Sequence, residues 1–142
     1  MRALLDVNVL IALHDRDHVH HERAARWFGD HAEQGWASCP LTQNGCLRIM
    51  SQPGYPGQQP LAALLAMLQR STATPFHALW SDDISLLDSA CFHHAHIHSH
   101  RQLTDLYLLG LAVKNKGRLV SFDLHIPRSA VQGATAAHLV TL

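Results

Sequence analysis

The sequence predicts an α/β fold, a three-layer sandwich in which a central, mostly parallel sheet of four to five strands has helices on both faces. Three observations support the α/β class. Short apolar runs bounded by polar residues alternate along the chain with helical patterns, as in parallel sheets. Two of these runs, near opposite ends of the chain, lead directly into Asp6 and Asp123. A third aspartate, Asp105, opens the strongest helical pattern, and such positions meet at the carboxyl edge of a parallel sheet.

The first part of the chain predicts two strands and three helices. An apolar run over residues 2–6 predicts the first strand, and residues 8–13 predict a short helix or turn. Apolar residues recur at helical spacing over residues 18–33, so this segment is expected to be a longer helix. Residues 36–39 predict the second strand, and the amphipathic pattern of residues 41–50 predicts the next helix.

The middle of the chain alternates loops with short elements. Three prolines and two glycines predict a loop over residues 51–60, and a clear apolar helix follows over residues 61–69. Residues 76–80 predict a third strand, and the two aspartates after it predict the cap of a short helix over residues 82–87. Residues 91–100 are rich in histidine and are expected to be irregular.

The last third completes the sheet. Residues 104–116 are apolar on most sides, which predicts a buried helix, and Gly117 is expected to end it. Residues 118–122 predict a fourth strand, and residues 138–142 predict a fifth at an edge. Because no repeat or linker divides the sequence, residues 1–142 are expected to form a single domain.

Composition excludes several classes of protein. Hydrophobic residues make up 47% and charged residues 15% of the 142 residues, as in a globular domain. Eleven basic and eleven acidic residues cancel, which argues against a protein that coats nucleic acid through bulk positive charge. Three cysteines without a CxxC pattern argue against a disulfide framework. Since Asp6 interrupts the first apolar run and no later run approaches the roughly 20 residues of a membrane span, we expect a cytoplasmic protein without a signal peptide.

The three aspartates together predict a site for a divalent cation. Carboxylates at strand ends and at a helix start suit Mg²⁺ or Mn²⁺, which prefer oxygen ligands and leave positions open for phosphate oxygens. A bound cation lowers the pKa of a water that attacks phosphorus and stabilises the charge on the leaving oxygen. Each aspartate alone also fits a helix cap or a turn, so it is their coincidence that predicts a metal-dependent enzyme.

Four segments give the chain a resemblance to a known family. The sequences LLDVNVLIAL at 4–13, HVHHERAARWF at 18–28, CPLTQNGCLRI at 39–49 and LTDLYLLGLAVKNKGRLVSFD at 103–123 are similar to PIN domains, and more closely to VapC-type ribonuclease toxins of toxin–antitoxin pairs. The resemblance implies Mg²⁺- or Mn²⁺-dependent endonucleolytic cleavage of single-stranded RNA by an acidic cluster. It also implies a VapB-like antitoxin as partner and the pairing of two copies into a homodimer.

The resemblance assigns roles to five residues. Asp6 matches the first acid of the family, and Asn8 is the polar residue that accompanies it. Asp105 matches the acid at the head of the penultimate long helix. Asp123 matches the acid after the fourth strand, with Ser121 as its hydroxyl neighbour. The resemblance therefore implies that Asp6, Asp105 and Asp123 hold the metal.

The chain departs from the family pattern at the second acid. Family members usually carry a glutamate on the helix predicted over residues 41–50, which here contains no acid. Gln43 takes the matching position as a candidate catalytic residue, with Asn44 at the rim, whereas an alignment shifted by two places Gly45 there instead. Because an amide brings no charge, metal binding is expected to be weaker or to rest on three carboxylates.

The histidines form a separate candidate site. Five of the thirteen histidines lie within residues 93–100. Imidazole suits zinc or nickel, but the alternating spacing does not match a structural zinc motif. We therefore expect an exposed loop near the mouth of the site, in which His98 and Arg101 contact RNA phosphates.

Two other functions stay open. The chain is also compatible with a PIN-like nuclease of RNA processing that has no antitoxin, or with a catalytically weakened module that binds RNA or a partner. A phosphatase of the haloacid dehalogenase type would need a second aspartate where Asn8 stands.

The leucines of the helix over residues 61–69 exceed what one face can bury, which predicts self-association. The apolar residues around Val9 and Trp27 predict a groove for an amphipathic antitoxin helix.

Overall fold

The computed structural model describes residues 1–142 and contains one sheet of five parallel strands. The strands are β1 (Ala3–Leu5), β2 (Trp36–Ser38), β3 (His77–Leu79), β4 (Arg118–Ser121) and β5 (Leu139–Thr141). Their order in the sheet is β3-β2-β1-β4-β5, so β1 is central, with β2 on one side and β4 on the other. All five predicted strands are confirmed, and the sheet is parallel throughout.

Helices cover both faces of the sheet. The helices are α1 (Val7–His14), α2 (His21–His31), α3 (Pro40–Met50), α4 (Leu61–Thr72) and α5 (Leu103–Lys114). Apolar side chains of α1, α3 and α4 are buried together on one face, and those of α5 are buried on the other. The predicted three-layer sandwich is confirmed. No helix has the length and apolar character needed to cross a membrane.

The central strand divides its side chains between two hydrophobic cores, because successive residues of a strand point to opposite faces. Leu4 is buried with Leu106 and Leu109 of α5. Ala3 and Leu5 are buried in the other core, with residues of α1, α3 and α4. This burial on both faces fixes the position of β1, and therefore fixes the residue that follows it at the carboxyl edge of the sheet.

The end of α5 differs from the prediction that Gly117 makes the turn. Lys116, with φ of 55°, takes the left-handed conformation, and the N–H of Gly117 donates to the carbonyl of Ala112 at 2.9 Å. Gly117 is needed for a different reason. A Cβ there would lie 2.6 Å from the carbonyl oxygen of Arg2, so a larger residue would push β4 away from the chain before β1.

The short helix predicted over residues 82–87 is wrong, because its two aspartates have partners elsewhere in the fold. The Asp82 carboxylate accepts hydrogen bonds from the Leu41 N–H at 2.9 Å and from the Tyr107 hydroxyl at 3.1 Å. Asp83 forms an ion pair with Lys114. Asp82 thus connects the first turn of α3 to α5, and the segment after it forms no helix.

Candidate active site

Asp6 lies between β1 and α1 and is almost completely buried, with 5% of its surface exposed. Its backbone N–H donates to Val120 at 3.1 Å, which continues the pairing of β1 with β4. Its carboxylate accepts the N–H of Val9 at 2.9 Å and so caps α1. The Ser121 side chain lies beside this carboxylate and favours its charged form by lowering its pKa.

Asp105 and Asp123 approach Asp6 from two other elements. Asp105 lies in the first turn of α5, where its charge interacts favourably with the helix dipole. Asp123 follows β4, and its backbone N–H donates to the Ser121 hydroxyl at 3.0 Å. A carboxylate oxygen of Asp123 accepts the N–H of His125 at 2.8 Å. Ser121 therefore connects Asp6 and Asp123, the residues that follow adjacent strands.

The three carboxylates are close enough to change each other's ionisation. Burial raises the pKa of Asp105 to about 7, with further contributions from the charges of Asp6 and Asp123 and from a hydrogen bond with Asp123. Burial also raises the pKa of Asp6, against the hydrogen bonds from Ser121 and Val9 that favour its charged form. Asp6 and Asp105 line one cavity of about 240 Å³ together with Asn8. The structure thus brings the three predicted aspartates together.

This arrangement fits a hydrated divalent cation. No three His, Cys, Asp or Glu side chains already form a closed set of metal ligands. Mg²⁺ does not need such a set, because it keeps several waters and binds through one or two carboxylates. A buried and a half-buried carboxylate whose charged forms are disfavoured, with a third carboxylate beside them, are a donor set that a cation would stabilise.

The structure does not bring Gln43, predicted as a catalytic residue, into this cleft. The Gln43 amide donates to the Ser38 hydroxyl at 2.9 Å, and the side chain lines a different cavity, against α4. The alternative position, Gly45, faces Val7, and a Cβ there would lie 2.8 Å from a Val7 methyl carbon. Because α1 and α3 approach so closely, neither position offers the cleft a side chain.

Two residues that the sequence did not single out line the cleft instead. Arg48 and Thr104 both border the cavity that contains Asp6 and Asp105. Arg48 lies three residues after Gly45, on the same face of α3, and this helical spacing is the signal that could have identified it. Asn44, predicted at the rim, lines an adjoining cavity. Thus α3 contributes a positively charged side chain to the cleft, whereas the family pattern has an acid on this helix.

The histidine segment is exposed, and its side chains have separate partners. His93 pairs with the amide of Gln132 at 3.0 Å, and His94 donates to the carbonyl of Leu86 at 2.7 Å. No three of these residues are arranged to hold a metal ion. His98 and Arg101 are exposed and line none of the cavities. Their contact with RNA stays a prediction.

Comparisons with known proteins agree with this fold. The PIN domain family matches residues 3–131. Ribonuclease VapC44 of Mycobacterium tuberculosis is 54% identical over 142 residues, all of both chains. Ribonuclease VapC39 of the same species is 40% identical over 134 residues, which cover 94% of this chain and 96% of that one.

Solved structures support the fold alone, because the sequence identity is only 11%. VapBC2 from Rickettsia felis, bound to a DNA fragment from its promoter, matches with a TM-score of 0.59. VapC20 of Mycobacterium tuberculosis, described as a toxin that cleaves the sarcin–ricin loop, matches with a TM-score of 0.58. Each alignment covers 87% of this chain and 89% of the other.

Proposed function

This chain belongs to the PIN-domain family, as one of its VapC ribonucleases, and on that basis we propose that it is the metal-dependent endoribonuclease toxin of a toxin–antitoxin pair. One observation carries the catalytic part of the proposal. The buried carboxylate of Asp6 and the half-buried carboxylate of Asp105 line one cavity, and Asp123 is near enough to raise the pKa of both. A divalent cation would relieve this repulsion.

Asp6, Asp105 and Asp123 are the residues that would hold Mg²⁺ or Mn²⁺. When bound, such a cation polarises a phosphate oxygen and lowers the pKa of the attacking water. The protein's own contribution is positioning. The Val9 N–H fixes the Asp6 carboxylate, and the Ser121 hydroxyl accepts the backbone N–H of Asp123. Burial of Asp6 keeps bulk water away from one side of the cleft, which strengthens its interaction with a cation.

RNA is the substrate in this proposal, and a VapB-like antitoxin and a second copy of the chain are the partners. The names of the relatives describe VapC ribonucleases, and one structural neighbour is a VapBC complex. An antitoxin segment would inhibit the enzyme by placing a basic side chain among the three acids. The protein would act in the cytoplasm, where RNA and antitoxin are present.

The test is cleavage of a labelled single-stranded RNA by the purified full chain with Mg²⁺, with Mn²⁺ and with a chelator. We expect cleavage with either metal and none with the chelator. Asp6→Asn should abolish cleavage without unfolding the protein, because asparagine caps a helix as well as aspartate does. Equal cleavage by the wild type and by Asp6→Asn would refute the assignment of the site.

Because the chain lacks the acid that the family usually carries on α3, the metal concentration needed for cleavage is a second quantity to measure. With no acid from α3 in the cleft, we expect half-maximal cleavage only at a high metal concentration. RNA binding without cleavage at any metal concentration would favour the alternative function, a module that only binds RNA.

The partner is tested by co-purifying the chain with the product of an adjacent antitoxin gene. We expect a stable complex, and we expect that complex to cleave RNA more slowly than the free chain.

A further inference from the structure

A second cavity adjoins the acidic one and is larger. It has a volume of about 440 Å³, within the range of about 300–1,000 Å³ typical of small-molecule sites. The two cavities share three lining residues, Val7, Arg48 and Thr104. Arg48 therefore borders both the space that contains the acids and the space beside it.

Arg48 has no partner within the protein. It is the only basic side chain that lines either cavity, and it forms neither an ion pair nor a side-chain hydrogen bond. The carboxylates of Asp6 and Asp105 border the same cavity, yet Arg48 does not pair with them. A guanidinium presents its donors in a planar fork that matches phosphate oxygens. Its position suits a phosphate at the junction of the two cavities.

The larger cavity has the mixed lining expected of a nucleotide site. Pro40 and Leu41 supply apolar surface, and Asn44 supplies an amide. Asp82 supplies a carboxylate whose orientation is fixed by the N–H of Leu41 and the hydroxyl of Tyr107. Each carboxylate oxygen of Asp82 accepts one of these bonds and keeps capacity to accept another.

We propose that the larger cavity is a nucleotide subsite of the RNA-cleaving cleft, in which Arg48 binds a phosphate and the adjacent base lies against Asn44 and Asp82. The proposal rests on the proposed ribonuclease function. Asp82 accepts a hydrogen bond from an exocyclic amino group, which adenine, cytosine and guanine have. Uracil lacks this group, and its one donor on that edge, N3–H, lies between two carbonyl oxygens that a carboxylate repels. The subsite therefore favours cytosine over uracil, the base closest to it in size.

The phosphate contact is tested by RNA binding in the presence of a chelator, so that no cleavage occurs. A short, fluorescently labelled single-stranded RNA of mixed sequence is titrated with the wild type, Arg48→Gln and Arg70→Gln. Arg70 is the matched control, an exposed arginine on α4 that lines neither cavity. We expect Arg48→Gln to bind roughly tenfold more weakly, the effect of one charge-assisted hydrogen bond. The slope of log affinity against log salt concentration should lose about 0.7, the value for one phosphate of a single strand.

Further results separate this proposal from its alternatives. Arg48→Lys should restore the salt slope but only part of the affinity, because an ammonium lacks the planar fork. Affinity and salt slope equal to the wild type in Arg48→Gln would overturn the proposal, even if the wild type cleaves RNA. Loss of Mn²⁺ affinity in Arg48→Gln would also overturn it, because Arg48 would then support the acidic site. Absence of cleavage by the wild type, with RNA binding that depends on Arg48, would refute the nuclease function alone.

The base preference is tested with oligocytidylate and oligouridylate of equal length. We expect the wild type to bind oligocytidylate more tightly, and Asp82→Asn to lose most of this preference. Asp30→Asn is the control, since Asp30 is an exposed carboxylate of α2 that lines neither cavity. Equal binding of the two oligomers by the wild type would overturn the assignment of Asp82.

Discussion

Asp6 has both a structural and a chemical role. Its carboxylate caps α1 through the N–H of Val9, so the simple explanation of a helix cap is correct. The cap does not explain the charge, because asparagine or serine would cap the helix equally well. Burial raises the pKa of Asp6, so keeping a carboxylate here costs stability in the metal-free protein. A bound cation, as in the proposed function, would offset that cost.

At Asp105 the expected effects on activity and on stability have opposite signs. Asp105→Asn should reduce RNA cleavage at least about a hundredfold, because a metal contributes several kcal/mol of transition-state stabilisation. It should also raise the melting temperature in chelator, since it removes repulsion from Asp6 and Asp123. Asp30→Asn, the exposed control on α2, should change neither measurement. A fall in both activity and melting temperature would contradict this account and indicate damage to the fold.

Gln43 gives a prediction of no change. Its amide donates to Ser38, and its side chain lines the cavity against α4, outside the acidic cleft. We therefore expect Gln43→Glu to leave unchanged the Mn²⁺ concentration for half-maximal RNA cleavage. Gln43→Ala serves as the control for lost contacts with Ser38. A lower Mn²⁺ requirement in Gln43→Glu would mean that this position faces the metal.

At the scale of elements, His14 connects α1 to α4 and gives the fold a pH dependence. Its Nδ1–H donates to the Leu10 carbonyl, and its Nε2 accepts from the Ser71 hydroxyl, both at 2.8 Å. Burial lowers the pKa of His14 below 6.5, although the bond to Leu10 opposes this shift. Asp15, Arg16 and Asp17 line the cavity beside it.

Because the unfolded chain binds a proton at His14 more readily, the stabilising contribution of this residue is complete above pH 6.5. It is lost as the pH falls through the folded-state value. Acidification lowers the free energy of unfolding through His14 but raises it through Asp6 and Asp105, whose pKa values are raised. We therefore expect the free energy of unfolding in urea to fall less, or to rise more, on acidification in His14→Gln than in the wild type. The free energy of unfolding of His14→Gln should still depend on pH, because the pKa of His77 is also lowered. His100→Gln, an exposed control, should keep the wild-type slope, and identical slopes in all three proteins would contradict the role of His14.

The sequence predicts well the elements that depend on residues close together in the chain. Apolar runs located all five strands, and helical spacing located α3 and α5, because burial on a face leaves a period in the sequence. The helix predicted over residues 82–87 failed because Asp82 caps the distant helix α3 rather than its own segment. The three acids could be predicted from two strand ends and a helix start. Arg48 shares a helix face with Gly45, but which face of α3 borders the cleft depends on how closely α1 and α3 pack.

At the scale of the whole molecule, the strand order places the site. β1 connects to its neighbour β2 on one side and pairs with β4 on the other, so the chain changes direction between β1 and β4. A crevice opens at such a switch point, outside the carboxyl ends of the strands. Asp6 and Asp123 follow these two strands, and α5 brings Asp105 to the same crevice. Residues from both ends of the sequence therefore meet because the sheet is parallel.

The homodimer is the prediction that concerns the whole molecule, and α4 offers the surface for it. Leu64 and Leu68 are buried in the core, but Leu61 and Leu65 are 52% and 42% exposed. These two exposed leucines are four residues apart, so they lie side by side on one face of the helix. An apolar pair on a small domain is a candidate interface, and a second copy of α4 would cover it. We expect light scattering to give the mass of a dimer at micromolar concentration.

The variants of α4 decide whether this helix forms the dimer. Leu65→Glu should shift the mass towards a monomer, because an exposed charge is tolerated in the monomer and is costly to bury in an apolar interface. Leu87→Glu is the matched control, since Leu87 is 88% exposed and lies in the loop after β3. A wild type that is monomeric would refute the homodimer. A dimer that persists in both Leu61→Glu and Leu65→Glu would place the interface on another face, leaving the two leucines free to contact the antitoxin.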